Sequence, residues 1–380
     1  MDKKKIIFLT GTRADFGKMK PLIDKIEHDD SFENYVFVTG MHTLSRYGST
    51  FSEVRKQNYK NMFLYINQSH TTDQDTILAN TITGFSNFVK EIKPDMVVLH
   101  GDRIEALAGS IVGALNNILV AHIEGGEVSG HIDETIRHAI TKMSHIHFVA
   151  NAQAKRRLIQ MGEMEKSIII IGSPDIEIMK SKSLPELEKV KKYYGIPFKK
   201  YAILIFHPVS SELDSLRIQI KEILDALKKS DRQFVVVFPN NDEGSKIIIE
   251  EYEQLKNNAN FRIFPSIRFL YFLTLLKNCE FIIGNSSVGV RESEVYGVHS
   301  INIGTRQNNR NMSKDIINVN PIEREILTAI NSIKNKKIKK SQFFNPVKNS
   351  SNKFYSVLRS DRLWKMHNQK QFVDLKFSKL

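Results

Sequence analysis

His100 to Ile140 reads HGDRIEALAGSIVGALNNILVAHIEGGEVSGHIDETIRHAI. Met96-Val97-Val98-Leu99, just before it, is apolar, β-branched and too short for a helix. It therefore reads as a buried strand that delivers His100-Gly101-Asp102-Arg103 at its C-terminal end. Ala106 to Leu115 reads as a helix of small and apolar residues. A second strand, Ile118 to Ala121, delivers His122-Ile123-Glu124-Gly125-Gly126-Glu127. A further helix, opening at Ser129 to Ile132, carries Asp133, Glu134, Arg137 and His138. In parallel α/β sheets ligands sit outside the carboxyl ends of the strands. Neighbouring strands ending in acid-rich turns thus predict one carboxylate-lined pocket. One such turn alone is an ordinary solvated loop, and Asp133 alone is an ordinary helix-start acid. Three within so short a stretch, with glycines that let the backbone come close, point to a site.

Outward from this stretch the same pattern repeats. Ile6 to Leu9 is a first strand, ending in Thr10-Gly11-Thr12-Arg13-Ala14-Asp15-Phe16-Gly17-Lys18 before a helix through Lys25. Strand, glycine turn and helix is a phosphate-binding arrangement. The spacing is neither G-x-G-x-x-G nor the Walker pattern, so nicotinamide and nucleoside-triphosphate readings have no motif. Tyr35 to Val38 ends in Thr39-Gly40-Met41-His42. His145 to Val149 alternates as a strand, and its two histidines are read as structural. Near Lys180 to Lys200 a lysine-rich surface segment marks a hinge, and a second strand–helix series follows. Its strands end at His207-Pro208, Pro239-Asn240-Asn241-Asp242, Pro265-Ser266, Gly284 to Gly289 and Gly304-Thr305-Arg306. Gly284 to Gly289 offers N–H groups and the hydroxyls of Ser286 and Ser287 at a helix start, which fits a diphosphate. Glu292, two helical turns on, is placed to accept from a ribose diol. Asn335 to Lys353 reads as a loop, and Phe354 to Leu375 as a final helix.

The chain has 380 residues, 41% hydrophobic and 26% charged, with net charge +13. That is a soluble globular composition for two domains. No basic stripe interleaved with aromatics appears, so nucleic acid is not an expected partner. The charge fits an anionic small substrate. The single cysteine, Cys279, excludes an intrachain disulfide or a zinc cluster. Lys3-Lys4-Lys5 precedes an apolar run too short for a signal peptide, and no run approaches a membrane span. The expected location is the cytoplasm.

Taken together, TGTRADFG (10–17), TGMH (39–42), HGDRIEA (100–106), HIEGGE (122–127) and DETIRH (133–138) resemble the hydrolysing UDP-N-acetylglucosamine 2-epimerases, which make N-acetylmannosamine for sialic acid synthesis. FHP (206–208), PNND (239–242), GNSSVGVRE (284–292) and GTRQ (304–307) continue the resemblance in order. It implies an α/β glycosyltransferase-B fold of two facing, doubly wound Rossmann-like domains with the active site in the cleft. The expected division is 1–180 with the catalytic acids, 181–353 with the UDP site, and 354–380 as a helix returning to the first domain.

By position, the resemblance makes Asp102, Glu124, Asp133 and His207 catalytic. It puts Arg13, Gly17, His42, Arg103, His122, Glu134, Arg137, Asn240, Lys246, Ser266, Ser286, Ser287, Glu292 and Arg306 around the UDP-sugar. Relatives often carry two consecutive aspartates where this chain has Asp133-Glu134, and Asp133 keeps the acid at the first position. In the implied chemistry UDP leaves C1 as the C2 proton is removed, giving 2-acetamidoglucal, and water then adds. Cations and N–H dipoles stabilise the diphosphate, and carboxylates move the protons. No metal or other cofactor is required. The expected partner is a UDP-sugar, with no nucleic acid and no membrane, and the expected assembly is a homodimer. Four readings compete: a non-hydrolysing 2-epimerase, a hydrolysing epimerase of a UDP-2,4-diacetamido-trideoxyhexose, a glycosyltransferase and a non-catalytic sensor. The GTRADFG and HIEGGE forms favour the hydrolysing branch, and the acids at all three turns disfavour the last two.

Overall fold

The computed structural model describes residues 3–181, 184–310, 313–333, 338–340, 347 and 349–375. The chain divides into two units. Unit 1 is Met1–Glu127, Asp133–Lys180 and Phe343–Leu380, and unit 2 is Val128–Ile132 and Ser181–Gln342.

In unit 1 the strands are β1 (Lys4–Thr10), β2 (Phe32–Val38), β3 (Met62–Leu64), β4 (Met96–His100), β5 (Leu119–Ile123), β6 (Ile146–Val149) and β7 (Ile168–Ile170). The helices are α1 (Arg13–Glu27), α2 (Phe51–Arg55), α3 (Gln74–Ile92), α4 (Ile104–Leu115), α5 (Ile132–Met143), α6 (Ala152–Gln160) and α7 (Pro174–Met179). The strands form one parallel sheet in the order β3-β2-β1-β4-β5-β6-β7. Alternate residues feed opposite faces. Ile6, Phe8, Met96, Val98 and Ala121 pack under α1, whereas Ile7, Leu9, Val97, Leu99 and Val120 pack under α3 and α4. Burial on both faces is why these strands read as unbroken apolar runs.

Unit 2 repeats the plan with β8 (Ala202–Ile205), β9 (Phe234–Val237), β10 (Phe261–Phe264), β11 (Phe281–Gly284), β12 (His299–Ile303) and β13 (Ile316–Val319). Helices α8 (Leu187–Tyr194), α9 (Leu213–Lys229), α10 (Ser245–Tyr252), α11 (Phe269–Asn278), α12 (Glu292–Tyr296) and α13 (Glu323–Ser332) connect them. The parallel order is β10-β9-β8-β11-β12-β13. In each sheet the winding direction reverses once, between β1 and β4 and between β8 and β11. These are the switch points where such folds bind ligands.

The last segment forms α14 (Ser350–Leu358) and the short α15 (Asp361–Trp364), not one helix from 354 to 375. Phe354, Leu358 and Leu363 are all buried in the core beneath α1. Fully burying each is worth about 1.5–3 kcal/mol over leaving it exposed, so this segment is an integral layer of unit 1. The expected boundary at 353/354 therefore falls earlier, and most of the loop expected at 335–353 lies outside the described residues. Among the described residues, no helix is long and apolar enough to cross a membrane.

Candidate functional site

The turn after β1 is closed by its own side chains. Asp15 accepts from the N–H of Gly11 at 3.0 Å and of Thr12 at 3.2 Å, and from the Thr10 hydroxyl. Thr12 in turn accepts from the Asp15 N–H at 3.2 Å, completing a reciprocal cap at the start of α1. The N–H groups expected to cradle a phosphate are thus taken by a carboxylate, which corrects that reading of the turn. Gly17 is buried in the second turn of α1, not in the loop. What the turn presents is Arg13, the first residue of α1, whose Nη2 meets Glu53 Oε1 at 2.9 Å. Burial pushes the Asp15 carboxyl up to about 6 despite its hydrogen bonds, with the neighbouring Glu105 adding to the rise.

Two histidines expected against the substrate are interior instead. His42 is 0% exposed, with Nε2 at 3.0 Å from the Thr10 hydroxyl and Nδ1 at 2.7 Å from that of Thr50. His122 is 0% exposed, with Nε2 at 2.8 Å from the Gly101 carbonyl and Nδ1 at 3.2 Å from the Thr141 hydroxyl. Both nitrogens of each ring are engaged and no surface is left for a ligand. Their work is to orient the β1, β2 and β4 turns. His145 and His147 are likewise held, by the Asn368 carbonyl at 2.8 Å and by Glu163 at 3.0 Å.

The carboxylates lie where the strands deliver them. β4 and β5 pair as Leu99↔His122 and His100↔Ile123, so Asp102 and Glu124 leave adjacent strands at the same edge of the sheet. Asp102 follows Gly101 and forms an ion pair with Arg137 of α5. Arg137 is only 3% exposed, so this pair fixes α5 against the β4 turn. Glu124 adopts φ +68°, a left-handed conformation that costs a non-glycine residue free energy and recurs at functional sites. Its buried carboxylate is met by His100 Nε2 at 3.4 Å, Lys18 Nζ at 3.5 Å and the Ser173 hydroxyl at 3.3 Å. Lys18 also lies 3.8 Å from Asp175. Asp133 and Glu134 occupy the first turn of α5, where the helix dipole favours an anion. Glu134 pairs with His138 at 3.7 Å, and burial pulls the His138 pKa below its ordinary value. Arg103 caps α4, its Nε 3.8 Å from the buried Glu105.

Unit 2 builds its switch point around a residue the sequence reading passed over. Asn285 accepts from the His207 N–H at 2.7 Å and donates to the His207 carbonyl at 2.8 Å, locking the β8 turn to the β11 turn. Its own carbonyl accepts from Gln307 Nε2 at 2.7 Å and from Arg306 Nη1 at 3.3 Å. Buried Arg306 is therefore a brace of this turn, where an outer nucleotide contact was expected. His207 Nδ1 accepts from the Asn240 N–H at 3.2 Å, so the neutral ring carries its proton on Nε2 as a donor. Gly284 has φ +130°, and a Cβ there would lie 2.0 Å from the Ile205 carbonyl oxygen, so no side chain fits. Past it, the N–H groups of Ser286 and Ser287 have no acceptor among the described residues, and the Ser286 hydroxyl caps Val288. Glu292 is the first residue of the five-residue α12, not two turns into a helix, and is buried. Lys246 is exposed on α10, and Ser266 follows β10 half-buried. Gly130 belongs to this unit too, its N–H donating to the Arg306 carbonyl at 3.1 Å.

Lys18, His100, Ser173, Asp175, Asn285 and Gln307 were thus absent from the expected set. Among the described residues, no three His, Cys, Asp or Glu side chains are grouped as metal ligands. The arrangement can move protons at the unit 1 edge and hold an anion at the unit 2 edge.

The buried histidines make a pH prediction. Burial holds the folded pKa of both His42 and His122 at about 3, below the ordinary 6.5. Between those values the unfolded chain binds more protons, so stability falls as pH drops below 6.5. At pH 5 each histidine costs about 2 kcal/mol. Asp15, raised from 3.8 to about 6, works the other way. Its penalty is relieved as pH falls, by about 1 kcal/mol at pH 5. These three groups together give a loss of about 2–3 kcal/mol between pH 7 and pH 5, and His138, His145 and His147, also held below their ordinary values by burial, add to it. Denaturant titrations at the two values check it, and a His42→Gln/His122→Gln variant should flatten the dependence.

Comparison with known proteins agrees with this geometry. Residues 24–365 match the UDP-N-acetylglucosamine 2-epimerase family. The chain is 47% identical to a UDP-N-acetylglucosamine 2-epimerase of Neisseria meningitidis, over 98% of this chain and 99% of that one. It is 35% identical to a hydrolysing UDP-N,N'-diacetylbacillosamine 2-epimerase of Legionella pneumophila, over 94% and 96%. It is 33% identical to polysialic acid biosynthesis protein P7 of Escherichia coli, over 93% and 90%. Two solved UDP-GlcNAc 2-epimerases share the fold. One, from Neisseria meningitidis and bound to UDP-GlcNAc, has TM-score 0.75 at 18% identity, covering 93% of this chain and 99% of that one. The other, from Methanocaldococcus jannaschii and in complex with UDP-GlcNAc and UDP, has TM-score 0.77 at 22%, covering 93% and 99%. The two parallel-sheet α/β units are those of a glycosyltransferase-B-like fold. With a family match across most of its length and a near-full-length relative at 47% identity, the chain belongs to the UDP-N-acetylglucosamine 2-epimerase family.

Proposed function

We propose that this protein hydrolyses and epimerises UDP-N-acetylglucosamine to UDP and free N-acetylmannosamine for surface-glycan synthesis. The observation that carries the reading is the side-by-side delivery of Asp102 and Glu124 at the switch-point edge of the unit 1 sheet. The unit 2 switch point holds the diphosphate, with the N–H groups of Ser286 and Ser287 and the Nε2–H of His207 as donors. Arg13 adds positive charge to the departing UDP. In the first step a carboxylate takes the C2 proton, the C1–O bond breaks with its electrons passing to UDP, and 2-acetamidoglucal remains. In the second, water adds hydroxyl to C1, and a proton returns to C2 on the opposite face. The three carboxylates Asp102, Glu124 and Asp133 share these transfers. The hydrolysing outcome draws support from the Legionella relative, whose name specifies it. That same relative, named for UDP-N,N'-diacetylbacillosamine, supports a second reading in which the sugar carries two acetamido groups.

Parallel incubations with the two UDP-sugars, followed by separation of the products, decide between them. Release of UDP and free N-acetylmannosamine from UDP-N-acetylglucosamine supports the first reading. Turnover of the diacetamido substrate alone replaces it with the second. UDP-N-acetylmannosamine as the product rejects hydrolysis.

A further inference from the structure

Behind the unit 1 sheet, the start of β7 and the α14–α15 segment enclose a cavity of about 850 Å³. Its floor includes Ile169, Val357 and Leu363, and its rim carries Lys166, Lys353, Arg362 and Lys365. No carboxylate lines it, and none of these four cations pairs with an acid among the described residues. Asp361, next to Arg362 in sequence, is exposed and does not line the cavity, and the acids near Lys166 are already committed. Glu163 is held by Lys142 at 2.8 Å and by Lys370 at 2.5 Å, and Glu165 by Lys155 at 2.8 Å.

The wall is built, not loose. Lys370 also donates to the carbonyls of Thr141 at 2.8 Å and Ser144 at 2.7 Å. The Val373 N–H donates to the Gly162 carbonyl at 3.0 Å. All four cations are exposed, and with no carboxylate in the lining they make the mouth of the concavity electropositive. An apolar floor beneath a cationic rim adds a place for a ring, and the volume lies in the range of small-molecule sites.

We propose that this cavity is a second ligand site, for a small organic phosphate or comparable polyanion that carries a ring. It is separate from the two switch points, and the proposal does not depend on the epimerase reading. A concave rim over an apolar floor fits a small molecule better than an anionic lipid surface, which would need cations spread over a plane.

Pyridoxal 5′-phosphate is a suitable probe, because it combines phosphate, ring and an aldehyde. The aldehyde condenses with a lysine amine, losing water, and borohydride reduces the imine to a stable secondary amine. Peptide mass spectrometry of the full chain then reports which lysines were labelled. We expect Lys166, Lys353 or Lys365 to be labelled at least about tenfold faster than exposed Lys90. Arg362→Glu, which removes no labelled residue, should bring them down to the Lys90 rate. Arg362→Gln serves the same purpose if charge reversal perturbs the fold by circular dichroism. Labelling no faster than at Lys90, or a preference unchanged in either folded variant, overturns the proposal. So does protection of these lysines by phosphatidylglycerol vesicles without any preference for the probe, which would assign the patch to a membrane surface.

Discussion

Glu124→Gln should lower turnover of UDP-N-acetylglucosamine by about 10²–10⁴-fold while leaving the fold intact, because a positioned proton-transfer group contributes on that order. Glutamine keeps the shape and fits the same buried space, and it can still accept from the Ser173 hydroxyl. It cannot take a proton from C2 or return one. Lys18 keeps Asp175 within 3.8 Å, so the substitution does not strand a buried cation. Asp133→Asn should show a comparable loss for the same reason. Asp102→Asn is different. It removes the anion facing Arg137, a guanidinium only 3% exposed, and breaking a buried pair from one side costs about 3–5 kcal/mol. That variant should lose stability as well as activity. Steady-state rates with circular dichroism melts separate the two effects. Near-normal turnover in Glu124→Gln would remove this residue from the chemistry.

His207→Ala and Arg13→Ala should each cost about 2–4 kcal/mol of transition-state stabilisation, by analogy with the loss of a donor to a developing anion. If both act on the departing diphosphate, the double variant falls by about 10³–10⁶-fold in rate. The effect should appear in kcat more than in KM, since the charge develops as the C1–O bond breaks. His207 is prepared for this role by the Asn240 N–H at its Nδ1, which leaves the proton on Nε2. Asn285→Ala should therefore imitate part of the His207 loss without touching the imidazole, because Asn285 holds the His207 backbone from both sides. Single-turnover measurement of UDP release checks all three. Unchanged release in both alanine variants would place the diphosphate elsewhere.

Much of the architecture was legible because both sheets are parallel and buried on both faces, so strands show as short apolar runs that stop at polar turns. The polar turns proposed as sites stand out for the same reason, since each interrupts an apolar run. The TGTR turn was misread as a phosphate cradle, although Thr12-x-x-Asp15 already carries the capping signature. Lys18 and Glu124 lie 106 residues apart, and no local pattern announces that they meet. Asn285 looked like a turn residue, and only the register of β8 against β11 shows that it bridges two of them. His42 and His122 carried the chemistry of ligands in sequence, and burial made them supports. The last helix was drawn too long because the apolar residues after Trp364 serve an extended tail, anchored by Lys370 and Phe372 on the α5 and α6 region.

The most direct measurement is the reaction run in heavy water with proton NMR of the released sugar. Abstraction and return of the C2 proton by Asp102, Glu124 and Asp133 predicts free N-acetylmannosamine with deuterium at C2, released together with UDP. A fully protiated C2, both in that product and in any 2-acetamidoglucal-derived sugar from a slow acid-to-amide variant, would contradict elimination. So would N-acetylglucosamine as the free sugar, which would reduce the chemistry to simple hydrolysis.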